Sequence, residues 1–332
     1  MLGRGVATRL TRAPPSALFA PELVEIAHEA DLVVLNLECC ISERGEPWPD
    51  PLKPFFFRAP PAAVEALALL GVDCVTLANN HVLDYGEQAL FDTLEHLDAA
   101  GIQGVGAGAD RTAARRPAVL EAGGVRLAVL GVSDHPREFA AGPNWPGIAL
   151  ADLTAGTPEW LRDAIAQVHA DAVLLTPHWG PNMATAATSA RREAAARLLA
   201  QGVTLIAGHS AHVFHGVEGR ALFDLGDFVD DYAVDPRARN DLGLLFFVDI
   251  EGARPVRVEA VPLFLDYCRT RLARGEEAVW IERRFRTACR ALGTEVESVD
   301  RRLVVELGES TDGSRARVAD ASGATERRGD DR

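Results

Sequence analysis

Four apolar runs in this chain each end in side chains that bind metals or move protons. "VVLNLE" ends at Glu38, "VTLANNH" at Asn80 and His81, "VLLTPH" at His178, and "TLIAGHSAH" at His209 and His212. Imidazoles, a carboxylate and an amide oxygen suit Mn, Fe or Zn, and the absence of neighbouring cysteines argues against a structural zinc knuckle. The set is larger than one tetrahedral ion needs. Two divalent ions about 3.5 to 4 Å apart would use it fully, and such pairs hold a phosphoryl group while activating water.

Each element also has an ordinary reading. "NNH" by itself reads equally as a strand-end turn whose asparagines cap backbone groups. "GHSAH" carries more, since a glycine lets the backbone turn sharply and two histidines fall three apart. His28, His96 and His169 lie in helical patterns and read as structural or solvated residues, while His135 and His215, in loops, fit either reading. "GVGAGAD", residues 104 to 110, imitates a phosphate loop but has neither the Lys-Ser/Thr of a P-loop nor a placed acidic partner, so it reads as a turn. "FFFR", residues 55 to 58, reads as core, with Arg58 at the surface or contacting an anion.

The elements that must position these groups alternate short β-branched runs with helical patterns, the signature of an α/β fold. Strands are expected at residues 31 to 38, 72 to 79, 102 to 108, 125 to 133, 171 to 178, 203 to 210, 220 to 228, 242 to 250 and 254 to 264. Helices open at Pro60-Pro61, at Glu87, at Pro158 and at Ser189 as a cap, with a last one over residues 276 to 292. In open α/β sheets the carboxyl ends of strands share one crevice, which would gather four endings spread over about 175 residues. That convergence is what raises the metal reading above the ordinary one.

Composition narrows the function classes. With 332 residues, 48% hydrophobic and 25% charged, the chain can bury a sizeable core. A formal charge of −14 without a basic run excludes nucleic acid as a first expectation. Five cysteines without a C-x-x-C pair suit a reducing compartment, and neither a signal peptide nor a run of about 20 apolar residues is present, so a cytoplasmic location is expected. The polar, Gly/Ser-rich segment 308–332 reads as disordered.

In order, "MLGRGV", "DLVVLNLE", "FRAPP", "VTLANNHVLDYG", "GIQGVGAG", "RRPAVLEAGGVRLAVLGVSD", "LLTPHWG", "LIAGHSAHVFHGVE" and "FDLGDFVDD" resemble the CapA family of poly-γ-glutamate capsule synthesis, a branch of the calcineurin-like metallophosphoesterases. The resemblance implies a four-layer α/β/β/α sandwich over residues 1–265, followed by a helical extension at 266–307 and the tail. It places Glu38, Asn80, His178, His209 and His212 as metal ligands, His81 as the histidine that stabilises or protonates the departing oxygen, and Asp84 as its orienter. Tyr85 would line the pocket, and Arg4 and Arg58 would contact an anion. The pattern departs at two points. Family members carry Gly-Asp before "MLGRG", at the end of a first central strand, and that aspartate is a ligand; an open slot in the sheet and an upstream start are therefore expected. Asp227 stands where asparagine is common, adding negative charge.

The resemblance thus implies a metal-dependent hydrolase of a phosphoester or related anionic small molecule or polymer. Two alternatives share the pocket: a metal-independent peptide epimerase using His81, His178 or Asp84, and a non-catalytic assembly factor of a polymer synthetase.

Overall fold

The computed structural model describes residues 1–308. A parallel three-stranded sheet is built from Val33–Asn36, Val72–Thr76 and Gln103–Val105, with Val72–Thr76 in the middle. A six-stranded sheet runs in the order Val217–Glu218, Ala221–Leu222, Leu205–Ala207, Ala172–His178, Val125–Ser133, Ala118–Ala122, parallel across its four central strands. An antiparallel sheet follows, in which Arg254–Asp266 pairs with Leu242–Glu251, Arg269–Leu272 and Arg302–Glu306. Every residue of Ala172–His178 is buried, as its unbroken apolar run requires of a strand covered on both faces.

The layers follow from which apolar faces meet. Helices Pro21–Ala27, Ala63–Leu69 and Gly86–Ala99 contribute Leu23, Ala66, Leu67 and Leu90 to a core shared with Val72, Val75 and Leu77. Between the sheets, Val129, Leu174 and Leu205 meet Leu244, Val258 and Ala260, with Cys74 and Val105 in the same cluster. On the far side Leu161 and Ile165 of Glu159–Gln167 and Leu198 of Ser189–Ala200 cover Val173, Leu175 and Ile206. Helix, sheet, sheet, helix is the four-layer α/β/β/α order expected.

Val33–Asn36 and Leu242–Glu251 each pair on one side only. Their free edges line one apolar cavity together with Leu67, Leu70, Leu174 and Ala207, and Glu38, His209, His212 and Asp227 line it too. Among the described residues these two edges leave backbone N–H and C=O groups without ladder partners.

Some boundaries move. The strand expected at 220 to 228 shrinks to Ala221–Leu222, because Asp224 turns away to accept backbone N–H bonds from Ala211 (2.7 Å) and Gly226 (2.9 Å). Ser189 is the first helical residue; the cap is Thr188, whose side chain accepts from Arg191 N. The helical extension expected at 266–307 holds the helix Glu276–Arg290 but also strands Arg269–Leu272, Glu297–Val299 and Arg302–Glu306, which join the antiparallel sheet. Residue 265 therefore falls inside a strand, since the edge of Arg254–Asp266 is completed by chain that follows it. The tail expected to be disordered lies, from residue 309 onward, outside the described residues.

Candidate active site

The strand Val72–Thr76 ends in "LANNHVLDYG", where each polar side chain has a separate task. Asn79 is fully buried and holds the turn: its amide donates to Asn36 Oδ1 (3.0 Å) and Leu37 O (2.9 Å), and its Oδ1 accepts from His81 N (3.0 Å). Asn36 in turn donates to Glu38 Oε2 at 2.9 Å. The capping reading of "NNH" thus belongs to Asn79, leaving Asn80 Oδ1 buried and without a protein partner.

His81 is held by its neighbours. Its Nδ1 lies 2.7 Å from Oδ2 of Asp84, which is fully buried and also accepts from Phe57 N at 2.6 Å. Phe57 packs on the imidazole with ring centroids 4.0 Å apart. Lys53, which no sequence pattern marks, supplies the counter-charge: its Nζ sits 3.0 Å from Asp84 Oδ1 and donates to Asn80 O at 2.7 Å. With Nδ1 held by Asp84, Nε2 is the ring nitrogen free for chemistry.

His178 and His209 come from adjacent parallel strand ends and share a hydrogen bond, Nδ1 to Nδ1, of 2.7 Å. One ring must donate and the other accept, so the pair is neutral. Burial, reinforced by the neighbouring imidazoles, depresses both, His209 to about 3 and His178 well below its ordinary value. His212 behaves oppositely. Burial opposes its charge, but the Asp227 carboxylate 3.0 Å from Nδ1 outweighs that and raises it to about 10. Asp224 is raised to about 7 by burial despite its two backbone donors, and burial beside Asp227 pushes Asp230 well above the carboxylate range.

The turn "GHSAH" is built differently from the sequence expectation. The sharp turn falls on Ser210 (φ 124°) and His212 (φ 61°), where positive φ is disfavoured for residues with a side chain. Gly208 serves close approach instead: a Cβ there would lie 2.2 Å from Phe223 O and 2.6 Å from Trp179 Nε1.

Glu38, His209, His212 and Asp227 line one cavity, with His178 bonded to His209. Among the described residues, Glu38 Oε1 and Asn80 Oδ1 are buried acceptors without a protein partner, and His209 Nε2 is a buried ring nitrogen without one. Bare acceptors in burial are costly, and oxygen with imidazole nitrogen is the donor chemistry of a first-row divalent cation, so the residue types fit such an ion. Among the described residues, however, no three His, Cys, Asp or Glu side chains stand together closely enough to hold one ion.

The outer candidates are tied to their own neighbours. Arg58 stacks over the Tyr85 ring, 3.9 Å from its centroid, and donates to the carbonyl oxygens of Arg44 and Gly45. Arg4 reaches Asp231 Oδ2 at 3.3 Å and lies over Phe55. Both cations and Tyr85 are engaged by protein. Besides Lys53, sequence reasoning missed Asp224 and Tyr232, whose ring lies 5.1 Å from that of His212. The acidic run "FDLGDFVDDY" was the available signal for both.

The PGA_cap family, described as bacterial capsule synthesis protein, matches residues 1–232. The chain belongs to this family. This PGA_cap chain is 34% identical over 285 residues to a probable polyglutamine synthesis accessory protein of Mycobacterium tuberculosis, covering 80% of the chain and 74% of that relative. It is 33% identical over 177 residues to the PGA biosynthesis protein CapA of Bacillus subtilis, covering 51% and 45%. Among solved structures, a hypothetical protein of Thermus thermophilus aligns at 18% identity with a TM-score of 0.41, over 77% of this chain and 93% of that one. Among the described residues no helix is long and apolar enough to cross a membrane.

Proposed function

We propose that the chain is a metal-dependent hydrolase of the calcineurin-like metallophosphoesterase type, acting on a phosphoester or related anionic substrate in the synthesis of a glutamate-polymer capsule, and that it works in a reducing, cytoplasmic setting. The capsule setting is taken from the family and from the names of the relatives. The observation that carries the hydrolase reading is the set of buried groups without a protein partner among the described residues, Glu38 Oε1, Asn80 Oδ1 and His209 Nε2, brought together from separate parts of the chain.

Glu38, Asn80, His178, His209 and His212 would hold the cations, with Asp227 as an added carboxylate. Divalent ions, when bound, polarise phosphoryl oxygens and lower the pKa of water. The protein's own contribution is clearest at His81. Asp84 fixes the ring through Nδ1, Lys53 places a cation beside the buried Asp84 carboxyl, and Phe57 prevents the ring from turning. A ring so held can give a proton through Nε2 to a departing alkoxide without first having to reorient.

The test is metal analysis of the purified chain followed by an aryl-phosphate assay with added Mn²⁺. Stoichiometric metal, with turnover lost in His209→Ala, is the expected result. Metal-free protein that inverts a peptide Cα would transfer the same dyad to the epimerase reading, and inert protein that co-purifies with a ligase would replace catalysis with assembly.

A further inference from the structure

A second concavity opens beside the histidine cluster, lined in part by Asp134, His135, Gly180, Asn182, Thr188 and Arg191. It adjoins the candidate active site through His135, whose ring centroid is 5.1 Å from that of His178. Arg191 lies in the first turn of Ser189–Ala200 and is only 8% exposed. Its backbone N–H reaches Thr188 Oγ1 at 3.4 Å, but among the described residues its guanidinium makes no hydrogen bond or ion pair. The group lies against Gly180 instead, where a Cβ would fall 1.9 Å from a terminal guanidinium nitrogen. Gly180 is itself pinned, its N–H donating to Asp134 Oδ2 (3.0 Å) and its carbonyl accepting from Ser210 Oγ (2.7 Å).

The side chain is mostly enclosed while its guanidinium faces the concavity, and arginines held this way are normally paired with a carboxylate or phosphate. The nearby carboxylates are committed elsewhere. Asp134 binds His135 Nδ1 and Gly180 N, while Asp152 accepts from Thr154 N, Thr154 Oγ1 and Ala155 N. Among the described residues Arg191 is thus a planar donor held in a polar cleft with its fork unused, placed to take a matching planar or tetrahedral oxyanion.

We propose that Arg191 binds an oxyanion of the ligand, a carboxylate or a phosphate, in this concavity, one imidazole away from the candidate active site. Its role as a substrate subsite rests on the hydrolase reading; the binding itself does not. The same chemistry has two sources, a free α-carboxylate of a γ-linked glutamate polymer or a free phosphate group, and calorimetric titration of the full chain with a γ-linked glutamate pentamer and, separately, with inorganic phosphate distinguishes them. At least one should bind, and Arg191→Gln should weaken that ligand tenfold or more, with Arg191→Lys in between. Because the side chain has no structural partner, Arg191→Gln should leave the thermal midpoint unchanged or raised. The proposal is overturned if the wild-type chain binds neither probe, if Arg191→Gln binds as tightly as wild type, or if its midpoint drops as for a structural arginine. Lack of aryl-phosphate turnover in the wild type would remove the hydrolase reading and leave these binding results standing.

Discussion

At the scale of single residues, the buried Asp84 joins three functions in one carboxylate: it orients His81, accepts Phe57 N and balances Lys53. Asp84→Asn keeps the shape but removes the charge, so turnover should fall by about tenfold or more with little change in KM, and the thermal midpoint should drop as Lys53 is left buried beside a neutral partner. Steady-state kinetics and calorimetry on one preparation read both. Away from the site, Asp92 is held at about 2 by the hydrogen-bonded Arg44 guanidinium, with Ser42 and Gln88 adding donors. A depressed carboxyl stabilises the fold fully above its ordinary value near 4 and loses that contribution as pH falls toward 2. Its share is about 1–2 kcal/mol, discounted because Arg44 faces solvent. Asp92→Asn should therefore flatten the pH dependence of stability between pH 4 and 2, read by denaturant titration. The residue types at strand ends were legible in the sequence, whereas the part played by Lys53 was not, since its partner Asp84 is 31 positions away and only the fold brings it near.

At the scale of elements, periodicity located the strands and helices well where burial on both sides leaves an unbroken apolar run. Val125–Ser133 has the expected ends, and Ala172–His178 and Leu242–Glu251 lie within one residue of theirs. It failed where a polar side chain diverts the backbone, as Asp224 does after Leu222. The role of Gly208 was likewise hidden, because a close approach to Phe223 and Trp179 is a tertiary fact. Gly208→Ala should cost about 2–3 kcal/mol through overpacking against a backbone carbonyl that Trp179 Nε1 already binds at 2.9 Å. A smaller loss in a urea titration would mean that the turn relaxes. The slot between Val33–Asn36 and Leu242–Glu251 makes a separate prediction. Amides of those strands that point into it should exchange with solvent roughly a hundredfold faster than amides within Ala172–His178. Equal protection would show the slot to be closed.

At the scale of the whole molecule, the antiparallel sheet binds the last third of the chain to the rest. Ile281, Phe285, Cys289, Leu303, Val304 and Val305 are all buried, and Arg302 bridges Glu259 and Glu29 from opposite ends of the sequence. A chain ended at Leu265 should therefore show no cooperative thermal transition, whereas a chain retaining residues 1–308 should unfold in one step; circular dichroism on heating distinguishes the two. By itself the sequence determined the α/β class, the family and which residue types lie at strand ends, because apolar period and motif order are local properties that survive without coordinates. Only the tertiary structure decided that Asn79 caps while Asn80 Oδ1 is left bare among the described residues, that Lys53 pairs with Asp84, that Arg58 is taken up by Tyr85 and that Arg191 is enclosed with no partner among the described residues. Each of these depends on which distant side chain fills a given space or completes a given hydrogen bond, and packing alone sets that.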